Sequence, residues 1–272
     1  MKSFSTPYPL TGEQCSDYRR DGHILLRNVA TPEEISLSRP VITRLTDEAA
    51  RTRAATGRVS GYASMFTQVT NLWRMDPAAR AFVFGIRFAR IAAELMGVDG
   101  VRLYHDQALI KEPGGKPTPW HQDHYYWPLD TPHTITMWMA LVDIPPEMGS
   151  MSFASGSHRG AMFPAMAISG ESEEFFERTI RERGTPTPSY SLRAGDATFH
   201  SGDLLHHAFG NGSSSRREVM TVIYYADGTR ISELAYEHRR VDRDAFLPGC
   251  EPGSIAATEL NPLLYRSPVT PG

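Results

Sequence analysis

Trp120-His121-Gln122-Asp123 is the segment of this chain best suited to chemistry. Side chains two positions apart on an extended segment leave the same face. A histidine and an aspartate so placed can share one side of a metal ion. Of the ten histidines, only His121 has an acidic residue two positions on. Two histidines and a carboxylate on one face are the donor set of non-haem Fe(II) oxygenases. The pair therefore needs one further histidine from elsewhere in the chain. In isolation, a surface histidine and aspartate in a loop would look the same.

The second chemical element runs from Gly202 to Asn211 and contains His206 and His207. A Ser-rich turn then leads to Arg216-Arg217. His206 precedes Arg217 by eleven positions. A histidine ending one strand and an arginine on the next can both face the interior of a β-roll. The arginine can then clamp a carboxylate held over the metal. Taken alone, the same residues read as an exposed turn carrying an arginine pair.

These residues need a frame. Thr11-Gly12-Glu13-Gln14 has the form of a capping box opening a short helix. His23 to Val29 reads as a strand. Thr31-Pro32-Glu33-Glu34 starts a second helix that runs to about Arg53, with Pro40 marking a kink or break. Residues 57 to 73 read as irregular, and a third helix spans about Pro77 to Met96, stopped at Gly97. After residue 100 the period changes to that of strands: Val101 to Lys111, His133 to Ile144, Ser150 to Ala154, Ser189 to Leu192, Ala197 to His200 and Glu218 to Ala226. Glu112 to Pro119 reads as a loop, Pro145-Pro146 as a turn and Gly170 to Arg183 as an amphipathic helix. The tail from Thr229 is polar and Pro-dotted, with a possible lid role. Helices followed by short strands predict a mainly β fold, a jelly roll with flanking N-terminal helices, in one domain covering 1–272. Its parts are a helical region of about 1–100, a core of about 101–228 and a tail of about 229–272.

Composition sets outer bounds. The chain has 272 residues, 40% hydrophobic and 22% charged, enough for a large core. A net charge of -3 gives no electrostatic reason to expect nucleic acid. Two cysteines, Cys15 and Cys250, make no disulfide scaffold. Met1 to Leu10 lacks the form of a signal peptide, and no apolar run approaches the ~20 residues a membrane helix needs. A cytoplasmic protein with no membrane partner is expected.

Taken together, Trp120-His121-Gln122-Asp123 with Tyr126, the run from Gly149 to Gly160, Gly195-Asp196, His206 with Asn211, and Arg217 resemble the phytanoyl-CoA dioxygenase family over roughly residues 10 to 230. The resemblance implies a double-stranded β-helix using Fe(II), 2-oxoglutarate and O2. It implies His121, Asp123 and His206 as iron ligands and Arg217 as partner of the distal carboxylate of 2-oxoglutarate, with Arg216 pointing outward. His206 sits five residues before Asn211, as the family's distal histidine does. His207 stays open as the alternative, because neighbouring strand residues face opposite ways. Trp138 matches a tryptophan beside the cosubstrate in the family, and Gln107 is a weaker candidate for the same pocket. Lys111, at a loop edge, reads as solvated. A carboxylate at Asp123 fills the place that halogenating relatives leave open, which disfavours chlorination.

The expected activity is oxidation of a C–H bond in a small organic molecule, such as a secondary metabolite, with hydroxylation as the default outcome. The same chemistry can give epimerisation, cyclisation or desaturation. A metal-binding cupin-like protein without 2-oxoglutarate, or without turnover, is the rival. Gln68, Asn71, Tyr126 and Trp127 are candidates to line the substrate pocket, with Tyr62 and Phe209 as further aromatic walls. They suit core packing equally well. His105, His124, His133, His158, His200 and His238 read as bystanders, hydrogen-bonded or exposed.

Overall fold

The computed structural model describes residues 4–55, 66–159, 163–164 and 166–268. Thr11 caps helix α1 (Gly12–Asp21) by the expected reciprocal box with Gln14. Strand β1 (His23–Leu26) follows, then helix α2 (Pro32–Ala55). A second reciprocal box, Thr31 with Glu34, opens α2. The helix runs through Pro40 without stopping. Pro40 and Ser36 both lie on its exposed side, where water can take the carbonyl that proline leaves without a donor.

Several sequence expectations need correction. Within the stretch read as irregular, Thr67–Thr70 is strand β2, because it finds an open edge on the long strand β3 (Gly100–Lys111). The helix read over 77 to 96 is two, α3 (Pro77–Val83) and α4 (Ile86–Met96), broken at Phe84-Gly85. Gly85 sits where any Cβ would lie 2.8 Å from that of Phe4, whose ring packs between Phe82 and Phe88. The loop read over 112 to 119 ends two residues early, because Thr118 and Pro119 already belong to β4 (Thr118–His121).

The remaining strands are β5 (Thr134–Ala140), β6 (Met151–Phe153), β7 (Ala197–Ser201), β8 (His206–Ala208), β9 (Arg217–Ala226) and β10 (Leu263–Arg266). Helix α5 (Gly170–Arg183) lies between β6 and β7. Residues 189 to 192 form isolated bridges through Ser189 and Leu192 rather than a strand. The tail carries helix α6 (Glu237–Phe246) before β10. All strand pairs are antiparallel. One sheet runs β1-β7-β5-β9-β3-β10, with β2 also on β3; the other runs β4-β8-β6. This is the two-sheet jelly roll that the strand pattern predicts.

Alternation decides which residues see which side. On β5, Ile135, Met137 and Met139 join the helices in the main core. Trp138 and Ala140 face the smaller sheet. On β9, Met220, Val222 and Tyr224 face the helices and Val219 the smaller sheet. No described helix is long and apolar enough to cross a membrane. Cys15 and Cys250 are both free.

The turn before β7 is tied by Asp196, which is buried. It accepts from Arg27 Nη1 at 2.7 Å, Asn28 N at 2.9 Å and Arg193 N at 2.8 Å. Asp196→Ala would leave these donors without their acceptor, at a cost of about 3 kcal/mol of unfolding free energy. Urea denaturation measures it; a loss below about 1 kcal/mol would show that solvent already serves these donors.

Candidate metal centre

Strand β4 pairs with β8 so that His121 stands opposite His206. Their ring centroids are 4.2 Å apart. Asp123 opens the single 3-10 turn after β4 and brings its carboxylate back to both rings. Oδ1 lies 3.4 Å from His121 Nε2 and 3.7 Å from His206 Nε2. One donor atom from each of the three residues falls within 4.8 Å of the others.

The orientation of each ring is set by backbone. His121 Nδ1 sits 2.7 Å from the carbonyl of Pro119, and His206 Nδ1 sits 2.9 Å from that of Leu204. A carbonyl only accepts, so each Nδ1 carries the proton and each Nε2 presents its lone pair to the centre. Thr136 donates to Asp123 Oδ2 at 3.3 Å, which leaves Oδ1 toward the histidines. Burial, then the neighbouring His121, holds the His206 imidazole well below its ordinary range. Burial alone would push Asp123 up, but the surrounding imidazoles of His206, His121 and His200 outweigh it and keep the carboxyl well below its usual range. The result is two imidazole nitrogens and one carboxylate on one face.

His207 lies outside the three-donor group; its ring is 4.2 Å from that of Trp120, and it also borders the cavity that opens over the triad. Arg216 also points outward, paired with Asp47 and Glu112 at 2.8 Å each. His124 bonds to Asp203 and to the Leu129 carbonyl. His158 meets the Arg19 carbonyl.

A cavity of about 460 Å³ opens over the triad. Arg217, Trp138, Gln107, Gln68, Tyr126 and Trp127 line it. Arg217 is 2% exposed and its guanidinium stands 5.3 Å from the Trp138 ring. It donates to the Gly149 carbonyl at 2.7 Å, while its Nε has no partner. No acid pairs with it among the described residues, and burial pushes it down to about 10. Gln68 and Gln107 are bonded to one another by their side chains.

Two pocket expectations are corrected. Asn71 does not reach the cavity; it adopts a left-handed turn, φ 56, beside the buried Asp106. Phe209 is 43% exposed and stands off the cavity. Tyr62 lies outside the described residues. Among the histidines read as bystanders, His105, His200 and His238 line the cavity. His200 is fully buried with neither ring nitrogen hydrogen-bonded, and its Nε2 is 3.6 Å from Asp123 Oδ2. Its place was open to reading from β7, which turns alternate residues inward.

Lys111 is the clearest miss. It is buried, not solvated, and its Nζ donates to the Phe209 carbonyl at 2.9 Å. It pairs in register with Arg217. Burial, then the Arg217 charge, pushes its ammonium down to about 7. The inward alternation of His105, Gln107 and Leu109 on β3 already carried this signal.

The family profile described as phytanoyl-CoA dioxygenase matches residues 18–219. "Phytanoyl-CoA dioxygenase 1" of Oryza sativa subsp. japonica is 25% identical over 181 residues, 62% of this chain and 61% of that protein. The match thus spans less than two thirds of that relative's length. Among solved structures, the non-heme alpha ketoglutarate dependent carbocyclase SnoK from nogalamycin biosynthesis is similar with a TM-score of 0.75 and 26% identity. That likeness covers 95% of this chain and 99% of the other. The epimerase SnoN in complex with Fe3+, alpha ketoglutarate and nogalamycin RO is similar with a TM-score of 0.71 and 25% identity, covering 93% of this chain and 97% of the other.

Two outcomes follow from this geometry. His206→Ala should weaken Fe(II) binding at least ~100-fold, while His207→Ala should change it only a few-fold, both read by anaerobic metal titration. Equal losses would contradict the assignment of one histidine to the metal. Lys111 titrates near 7 in the fold and near 10.5 unfolded. Between these the unfolded chain binds more protons, so stability rises with pH. Metal-free wild type should gain on Lys111→Met by roughly 1 kcal/mol per pH unit from pH 7 to 9. Parallel pH–stability profiles for the two proteins would rule this out.

Proposed function

The chain belongs to the phytanoyl-CoA dioxygenase family, and we propose that it is an Fe(II)- and 2-oxoglutarate-dependent oxygenase acting on a small organic molecule. The observation that carries this reading is the pairing of a three-donor metal face with a buried arginine lacking an acid, both on one cavity. Two neutral imidazoles and one carboxylate leave a divalent iron with one net positive charge, which favours an anionic chelator. Buried charges call for partners, and the open guanidinium of Arg217 suits the far carboxylate of a dicarboxylic keto acid.

In this reading His121, Asp123 and His206 would hold Fe(II), and Arg217, beside Trp138, would pair with the distal carboxylate of 2-oxoglutarate. When bound together, the metal and keto acid supply an O2-driven oxidation of an unactivated C–H bond, with loss of CO2 and formation of succinate. The protein's own part is positional. Backbone carbonyls aim the imidazoles, Thr136 holds the carboxylate, and the aromatic and aliphatic walls exclude water and fix which C–H faces the centre. Gln107, joined to Gln68, borders the cavity as a further hydrogen-bonding group.

Hydroxylation is the default outcome. Cyclisation or epimerisation is a second reading, favoured by structural neighbours named as a carbocyclase and an epimerase. The unpaired Arg217 speaks against a cupin-like metal protein that uses no keto acid. A cytoplasmic location belongs to the proposal and is supported by the two free thiols.

Arg217→Met should raise the dissociation constant for 2-oxoglutarate at least ~100-fold, with Fe(II) affinity unchanged, as read by anaerobic calorimetry. Unchanged 2-oxoglutarate affinity in this variant would remove Arg217 from its role and favour the cupin-like rival.

A further inference from the structure

Resting on that reading of the cavity, we propose that α6 builds a substrate subsite in which Asp242 pairs with a basic nitrogen of the substrate. His238, Asp242 and Phe246 recur every four residues and so share one face of α6. All three line the cavity. This stripe also attaches the helix. Phe246 stacks on His105 with ring centroids 4.0 Å apart, His238 lies 5.3 Å from Tyr126, and Tyr104 donates its hydroxyl to Asp242 Oδ2 at 2.8 Å.

That hydroxyl occupies one carboxylate oxygen only. Oδ1 has no hydrogen-bond donor among the described residues, and no lysine, arginine or histidine forms an ion pair with Asp242 there. Beneath Phe246, His105 keeps a buried Nδ1 with no partner. Two polar atoms at this end of the cavity, Asp242 Oδ1 and His105 Nδ1, thus lack hydrogen-bond partners among the described residues. The cavity has opposite needs at its two ends: a cation without an acid at Arg217, and an acid without a cation at Asp242. The keto acid meets the first need and leaves the second to the substrate.

A basic nitrogen fits better than a hydroxyl. A hydroxyl can donate to Oδ1 but leaves the half-buried charge uncompensated, whereas an ammonium supplies both the donor and the charge. Burial, with the Asp123 charge adding to it, pushes the Asp242 carboxyl up to about 7, a cost that a bound cation relieves. Phe246, Tyr126 and Trp127 line the same cavity, and aromatic rings attract an ammonium and stack on a flat scaffold. The inferred substrate class is a cyclic organic amine carrying its nitrogen at the α6 end.

The test uses the protein loaded anaerobically with Fe(II) and 2-oxoglutarate and titrated by calorimetry with 2-naphthylmethylamine and with 2-naphthylmethanol. The amine is expected to bind at least ~10-fold tighter than the alcohol. In Asp242→Asn, whose amide oxygen can still accept from Tyr104, the preference should vanish while the visible band of the Fe(II)–2-oxoglutarate complex persists. Equal binding of the two probes, tighter alcohol binding, no binding of either, or a preference that survives Asp242→Asn would overturn the inference. Absence of the visible band in the wild type would instead overturn the Fe(II)/2-oxoglutarate reading beneath it.

Discussion

One antiparallel pairing governs the proposed centre. When β4 lies against β8 in the observed register, His121 and His206 stand opposite one another and the turn after β4 returns Asp123 between them. A slip of one residue would turn the facing side chains to the other side of the sheet. His207, which now meets Trp120, would then take the place of His206. The carbonyls of Pro119 and Leu204 hold the Nδ1 protons, so the same backbone that pairs the strands also chooses the tautomers. The larger sheet supplies what this short pair lacks: Thr136 for the second carboxylate oxygen, and Trp138, Thr221 and Arg217 for the wall.

The cavity works against its own stability. Arg217 and Lys111 face each other across β3 and β9 with carbonyl partners but no acid, and both are shifted toward neutrality by burial. Such groups cost free energy in an empty protein and return it when an anion enters. In the proposed function, binding of a dicarboxylate is therefore coupled to stability.

The triad and Arg217 were readable because each is a chemically unusual residue at a defined spacing. Their proximity needed the family resemblance, since nothing local brings residue 121 to residue 206. The jelly roll was readable from strand density, yet β5 hides its period. Helices cover one face and the small sheet the other, so Ile135 to Ala140 is apolar throughout except for Thr136. Strand β2 was hidden because four polar-leaning residues become a strand only on the edge that β3 offers. Lys111, His105 and His200 were misread for one reason: a titratable residue on a strand was judged by type and position, not by the face that alternation assigns it. Asp242 was not singled out because the tail was read only as polar and Pro-dotted, although the four-residue spacing of His238, Asp242 and Phe246 is a helical signal.

The central claim is that one chain holds one Fe(II) on His121, Asp123 and His206 and presents it to a keto acid anchored by Arg217. Anaerobic titration of the purified protein with Fe(II) and 2-oxoglutarate tests this most directly. A weak visible charge-transfer band is expected that needs both additions, saturates at one iron per chain and is lost in His121→Ala. A well-folded protein that gives no such band, or a band that survives His121→Ala, would contradict it.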